Sequence, residues 1–167
     1  MALAVIKKPK AQKVAKGDKE ERLKTRAQIE KFKVDLQELA GSERGDADAI
    51  NTQGLQEFIT GGAYTRVLRI PKDTAMVSEL WLKDRLWLIL EGSVIVTTEE
   101  GTTELKAPYI GVAPFGTKAS VYTQEDTLWA AVTGVDAENK EDVHGELIAK
   151  DYSEISYEWD LIEEDKS

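Results

Sequence analysis

The chain has 167 residues, and 41% of them are hydrophobic, which is enough for one compact domain with extensions. It contains no Cys and a single His, which excludes disulfides, thiolate nucleophiles, Cys-ligated zinc and any multi-histidine metal site within one chain. Residues 1–26 carry nine basic and three acidic side chains, and the remainder carries thirteen basic and twenty-eight acidic ones. The net charge of −9 is therefore the sum of +6 on residues 1–26 and −15 on the remainder.

Residues 1–17 are predicted to form an extended basic arm, because they are rich in Lys and Ala and show no sustained apolar period. A basic arm on an acidic body indicates an acidic partner, such as nucleic acid, an acidic protein surface or a neighbouring copy. The arm lacks interleaved aromatic residues, which argues against a base-stacking single-strand binder but remains compatible with phosphate contact. The acidic body argues against nucleic acid as the main partner. The candidate partner-binding residues of the arm are Lys7, Lys8, Lys10, Lys13, Lys16 and Lys19.

A helical region is predicted over residues 18–62. Asp18 can cap its first helix and Gly41 can end it. Between them, apolar residues at spacings of three and four form a narrow stripe. It suits packing on the body or on a partner, with a short coiled coil as the alternative. The stripe consists of Ile29, Phe32, Leu36 and Leu39. A second, short helix is expected over residues 48–59, before the break at "TGG".

Residues 63–137 are predicted to form a β-barrel, because the hydrophobic period changes to two at Ala63. The candidate strands are "AYTRVLRI", "AMVSELWL", "RLWLILEG", "SVIVTTEE", "TTELKA", "YIGVAP", "KASVYTQ" and "TLWAAVTGV". Turn residues separate most of them. Many short strands with such spacing favour an antiparallel sandwich or barrel.

Residues 138–167 are predicted to form a C-terminal helix, over Glu138 to Lys150, and an acidic tail. The tail alternates apolar with polar residues, which favours a final strand on a sheet edge or on another subunit. Its candidate partner-binding residues are Ile155, Tyr157, Trp159 and Leu161. The tail and the helical stripe together predict a homo-oligomer, either a dimer or a trimer.

Several side chains on the predicted barrel and helix are candidates for chemistry, and each also has a plainer interpretation. Lys83 and Arg85, with Glu79, suit an anion or sugar pocket, but an ion pair at a barrel mouth or a subunit contact is favoured. The tryptophans on the strands suit a ligand cavity, but a core or interface role is favoured. These tryptophans are Trp81, Trp87 and Trp129. His144 is interpreted as an unspecialised surface residue.

Four stretches of the β-rich segment are distinctive: "IPKDT", "LEGSVIV", "APYIGVAPFGTK" and "VYTQEDTLWAAV". Through them the chain resembles, over about residues 64–150, the small cupin-type proteins encoded by tailed bacteriophages. The resemblance implies a mainly β fold. That fold is a cupin-like jelly-roll barrel with N-terminal helices and a C-terminal helix plus extended tail.

The resemblance also implies where a cupin would hold a metal ion. Gly92 matches the glycine of the first cupin motif, and "PFGTKA" matches the second. The ligand positions then hold Trp81, Lys83, Arg85 and Ala119. In an alternative register, Glu79 and Trp81 take the places of the first two histidines. Metal ligation needs imidazoles or carboxylates that converge on one point. We therefore expect no metal and no cofactor.

The function expected from this resemblance is that of a non-enzymatic virion structural protein, assembled in the host cytoplasm. Within that class, a head decoration or cement protein that stabilises the capsid through its arms is preferred, with a neck, tail or head-fibre component as the alternative. The partners would be the major capsid protein or other virion proteins, and no membrane is expected. A further alternative is a metal-free cupin that binds a small ligand.

Overall fold

The computed structural model describes residues 16–38 and 54–155. Helix α1 spans Lys16–Glu38 and helix α2 spans Lys140–Leu147, with a 3-10 turn at Tyr152–Glu154. The strands are β1 Gln56–Thr60, β2 Ala63–Ile70, β3 Ala75–Val77, β4 Leu80–Trp81, β5 Arg85–Glu91, β6 Ser93–Thr98, β7 Gly101–Lys106, β8 Tyr109–Ala113, β9 Ser120–Thr123, β10 Thr127–Gly134 and β11 Ile148–Ala149. Within the described ranges, neither α1 nor α2 is long and apolar enough to cross a membrane.

Two antiparallel sheets face each other and form the barrel. The first has the strand order β1-β2-β10-β5-β8 and the second has the order β3-β9-β6-β7, while β4 and β11 form a separate pair. The core between the sheets is made of apolar side chains from both, including Ile70, Ile89, Val94, Val96 and Val121. The non-sequential strand order is that of a jelly roll, so the predicted mainly β barrel is confirmed.

Strand β5 shows how a strand of the barrel divides its side chains between the core and the solvent. Arg85, Trp87 and Ile89 point inward and are buried, whereas Leu86 and Leu90 point outward and are exposed. This is the period of two expected of a strand with one face on a core. The strand ends at Gly92, whose φ of +80° lets the chain turn directly into β6.

Helix α1 packs on the chain's own barrel, against β3 and β6. Ile29 of the predicted stripe is 2% exposed, whereas Leu36 is half-buried and Phe32 is exposed. Leu39 lies outside the described residues. Ion pairs fasten the helix, with Arg26 Nε 2.8 Å from Glu99 Oε1 and Glu30 paired with Lys118. These contacts favour packing on the body over a coiled coil.

The chain between α1 and the barrel differs from its prediction. Residues 56–60 form strand β1 and not the end of a short helix, because β1 pairs with β2 through a hairpin at Gly61 and Gly62. Both glycines have positive φ, at +54° and +80°, which a two-residue hairpin turn requires. The sheet therefore begins at Gln56, and α1 begins at Lys16, two residues before the predicted cap.

The C-terminal region also differs from its prediction. Helix α2 ends at Leu147, and the next residues form β11 on β4, because Ile148 and Ala149 pair with Trp81 and Leu80. Ile155 is buried against Leu80 and Ala149 of its own chain. Residues Tyr157, Trp159 and Leu161 of the predicted tail strand lie outside the described residues.

Replacing Gly145 of α2 with Ala should stabilise the protein. A Cβ at this position meets no atom within 4 Å, and Gly lowers helix stability by about 0.5–1 kcal/mol relative to Ala. The free energy of unfolding, measured by urea denaturation, should rise by about that amount. An unchanged or lower value would show that the end of α2 is constrained by more than helix propensity.

Candidate functional site

A cavity of about 100 Å³ lies inside the barrel, with residues of both sheets in its wall. Leu68 of β2, Met76 of β3 and Val121 of β9 make apolar parts of this wall. Three tryptophans also line it: Trp81, Trp87 and Trp129. The charged side chains that line it are those of Arg66, Glu79 and Arg85. We call this space the Arg85 cavity.

Strand register brings the two arginines of the Arg85 cavity to one side of the barrel. Arg66 lies on β2 and faces inward, like Leu68. Its cross-strand partner on β10 is Ala131, and the partner of Ala131 on the other side is Trp87 of β5. Arg85 begins β5, two residues before Trp87. The small side chain of Ala131 lies between larger neighbours, so it leaves the space that both guanidinium groups border.

Arg85 is a deeply buried cation, with 3% of its surface exposed. Its guanidinium carbon lies 4.7 Å from the ring centre of Trp81 and 5.2 Å from that of Trp87, both within cation–π range. Its Nη2 donates to the backbone oxygen of Thr117 at 3.3 Å. The turn that carries Thr117 is itself held, because Gly116 N–H donates to the Trp81 carbonyl at 2.8 Å.

Both arginines keep buried donors without an acceptor. Nη1 of Arg85 and Nε of Arg66 have no hydrogen-bond partner among the described residues, and neither guanidinium forms an ion pair with a described carboxylate. Burial, followed by the charge of Arg66, lowers the pKa of Arg85 to about 9. Arg85 therefore remains a cation near neutral pH, and an unmatched one.

The predicted metal-ligand positions separate into two groups in the structure. Trp81, Arg85 and Ala119 line the Arg85 cavity together, with Glu79 of the alternative register. Lys83 does not line it. Its Nζ pairs with Glu146 of α2 and donates to the Gly134 carbonyl at 3.3 Å. The favoured ion-pair interpretation therefore fits Lys83, whereas Arg85 belongs to the cavity.

Arg66 is a cavity residue that the sequence reasoning missed. In "AYTRVLRI" it shares a phase with Tyr64, Leu68 and Ile70, which is the buried face of β2. A cation in the apolar phase of a strand is the signal that could have identified it.

The donor groups of the Arg85 cavity do not fit a metal ion. Trp81, Arg85 and Ala119 offer no imidazole or carboxylate, and Glu79 alone cannot complete a coordination shell. Among residues 16–38 and 54–155, no group of three His, Cys, Asp or Glu side chains could hold a metal. We therefore derive no step through a metal.

A larger opening of about 190 Å³ lies beside Glu99, Tyr109 and Phe115. Its buried carboxylate, Glu99, is already paired with Arg26 at 2.8 Å and with Arg22 at 3.5 Å. The buried charge in this opening therefore has partners of opposite charge, whereas Arg85 in the Arg85 cavity has no described carboxylate partner.

The other predicted site residues lie away from the Arg85 cavity. His144 is exposed on α2. Lys16 and Lys19 of the predicted arm belong to α1. The remaining arm residues, Lys7, Lys8, Lys10 and Lys13, lie outside the described residues.

Glu146 should make the free energy of unfolding depend on pH. The hydrogen bond from Lys83, and then the backbone N–H groups of Asp136 and Ala137, lower the pKa of Glu146 from 4.5 to about 2. Because the folded pKa is depressed, its stabilisation is present above pH 4.5 and is lost as the pH falls to about 2. Glu146→Gln should therefore flatten the fall of the urea midpoint across that range, whereas Glu138→Gln should not. If the urea midpoint falls equally steeply with pH in the wild type and in Glu146→Gln, this role of Glu146 is contradicted.

No family model matches the chain, and no curated protein matches it significantly. Solved structures do resemble it. The cupin domain of Schizosaccharomyces pombe Cnp3 is 17% identical with a TM-score of 0.44, and the match covers 49% of this chain and 60% of that one. This chain thus spans less than two thirds of the Cnp3 chain.

Two enzymes are among the similar structures. An acetylacetone dioxygenase from Acinetobacter johnsonii is 14% identical (TM-score 0.42), with 48% of this chain and 58% of that one covered. A salicylate 1,2-dioxygenase from Pseudaminobacter salicylatoxidans is 10% identical (TM-score 0.47), and the match covers 56% of this chain and 28% of that one. At these identities the likeness concerns the fold alone.

These comparisons correct one prediction. The expectation of a non-enzymatic protein is wrong as a conclusion from the fold, because solved structures of this fold include dioxygenases. None of the comparisons supports the phage origin or the virion role, so both stay predictions. The strand order is that of a jelly roll, and cupin-domain proteins are among the solved structures that resemble this chain.

Proposed function

We propose that the barrel binds a small organic molecule in the Arg85 cavity and does so without a metal ion. The observation that carries the proposal is the cavity itself. It lies inside the barrel, where the resemblance to cupins would place a metal, yet it is lined by aromatic, apolar and cationic side chains. A mainly apolar cavity with a few convergent polar groups is the usual form of a small-molecule site.

The chemistry of the lining suits binding and also allows catalysis. Trp81 and Trp87 hold Arg85 in place, so a ligand would meet a cation whose position is already fixed. Glu79 lines the same cavity and is a carboxylate that can accept or return a proton. A ligand held by the arginines would therefore lie beside a group able to act on it.

The test uses the full chain, freed of metal with a chelator, and ligand-observed NMR with four probes of similar size. The probes are propionate, propionamide, propylamine and 1-propanol. At least one should bind without added metal. Ala131→Leu, which fills the cavity, should abolish the binding, and Val132→Leu, on the opposite face of the same strand, should not. Binding of no probe, or binding only after zinc or nickel is added, would contradict the proposal.

A second candidate is the structural role in a virion that the resemblance implies. The outer face of the five-stranded sheet carries apolar side chains that are 41–59% exposed, namely Leu86, Leu90, Ile110 and Val112. Leu86 pairs with Val112 across neighbouring strands, so these side chains form one patch. An apolar patch of this kind suits contact with a capsid protein or with a second copy of this chain.

This second candidate predicts that the full chain binds capsids that lack it, at a fixed copy number, and raises their melting temperature. Ile110→Glu places a charge in the outer patch and should remove both effects. Analytical ultracentrifugation of the same two proteins should show whether the patch also holds a dimer or trimer together. No co-sedimentation of the wild-type chain with capsids at saturation would remove this candidate.

A further inference from the structure

Two guanidinium groups border the Arg85 cavity, and no described carboxylate lies within ion-pair distance of either, although Glu57, opposite Arg66 on β1, interacts with Arg66 electrostatically. A buried cation without a partner is costly, and a second cation nearby increases the cost. From this pair we infer that the ligand of the cavity is a small monocarboxylate, held between Arg85 and Arg66. The inference rests on the proposed function of the cavity and names its ligand class.

The free donors of the two arginines suit a carboxylate. Arg85 uses Nη2 on Thr117 and leaves Nη1 buried and unpaired, while Arg66 leaves Nε buried and unpaired. A carboxylate has two oxygens and can accept from two guanidinium groups at once. Trp81 and Trp87 pack on Arg85, so little side-chain freedom is lost when the anion binds.

Charge and size narrow the ligand further. Two arginines and Glu79 give the lining a formal charge of +1, which matches a monoanion better than a dianion. An apolar cavity of about 150 Å³ is large enough for benzene, which has six non-hydrogen atoms, so one of about 100 Å³ has room for roughly four or five. The wall of Leu68, Met76 and Val121 suits a short alkyl group.

The test is isothermal titration calorimetry of the full, metal-free chain with propionate and with propionamide, which has nearly the same shape and no charge. Propionate should bind at least about tenfold more tightly, because hydrogen bonds to charged groups are the stronger ones. Succinate, a dianion, and hexanoate, a longer acid, should both bind more weakly than propionate.

Variants assign the effect to the two arginines. Arg85→Met and Arg66→Met should each weaken propionate binding by about ten- to a hundredfold and weaken propionamide binding by less, because the amide oxygen accepts from the same donors without a charge. Arg69→Met is the matched control, since Arg69 lies on the same strand as Arg66 but points to solvent. It should bind propionate like the wild type.

Each opposite outcome overturns a stated part of the inference. Equal binding of propionate and propionamide would refute the anion and leave the small-molecule cavity standing. Tighter binding of succinate would refute the monocarboxylate. If none of the four NMR probes binds, the cavity is not a small-molecule site, and the inference is refuted with the proposed function.

Discussion

Arg85→Met should unfold at a higher urea concentration than the wild-type chain when no ligand is present. Arg85 is 3% exposed, pairs with no described carboxylate and lies near a second cation, Arg66. Replacing a buried ion pair with apolar groups of similar volume is often neutral or stabilising by about 1–4 kcal/mol, and removing a buried cation that has no carboxylate partner should act in the same direction. The lost cation–π contacts with Trp81 and Trp87 offset part of this gain, by about 0.5–2 kcal/mol. We expect a net increase of up to about 3 kcal/mol in the free energy of unfolding.

Propionate should reverse this order of stability. A ligand that binds only the folded state stabilises it by about 2.7 kcal/mol at a hundred times its dissociation constant. The wild-type midpoint should therefore rise with propionate, and that of Arg85→Met should not. Arg69→Met, a change at an exposed position, should leave the unliganded midpoint within about 0.5 kcal/mol of the wild type. A strongly destabilised Arg85→Met would mean that Arg85 is a structural residue.

Gly92→Ala should lower the free energy of unfolding by about 2–5 kcal/mol. Gly92 has a φ of +80°, and a Cβ there would lie 2.3 Å from the backbone oxygen of Asp126 and 2.8 Å from Thr127 Oγ1. Backbone cannot move aside as a flexible side chain can, so the β5–β6 hairpin or the start of β10 must shift. Urea denaturation followed by tryptophan fluorescence measures the loss.

Gly101→Ala separates the two causes of that loss. Gly101 also has positive φ, at +121°, but a Cβ there meets nothing within 4 Å. It should therefore show backbone strain alone, about 1–2 kcal/mol. A Gly92→Ala variant no less stable than Gly101→Ala would show that Asp126 is not fixed against the turn.

Alternation of apolar and polar residues, together with short apolar runs between turn residues, predicts most of the barrel. The end of strand β2 shows the alternation, whereas β5 and β10 are apolar from Leu86 to Leu90 and from Leu128 to Val132, so their period of two appears in burial and not in sequence. The stretch "AMVSELWL" reads as one strand, but the structure divides it. Its first part pairs with β9 in the second sheet and its last part pairs with β11, a partner about seventy residues away along the chain. A sequence period cannot show such a change of partner.

The candidate site is less predictable because it depends on register. Three of the motif positions, Trp81, Arg85 and Ala119, line one cavity, but the fourth, Lys83, does not. The chain bends between β4 and β5, which turns Lys83 toward Glu146 of α2. Arg66 joins the cavity only through the pairing of β2 with β10. That contact is non-local and leaves no spacing in the sequence.

The most direct test of the account is a crystal structure of the full chain grown with propionate and a chelator. We expect electron density for a carboxylate between the guanidinium groups of Arg85 and Arg66, with its alkyl group toward Met76. A metal ion bound in the cavity would contradict the metal-free site. A carboxylate of the chain's own sequence between the two arginines would contradict the ligand, because the charge of the cavity would then be matched within the protein itself.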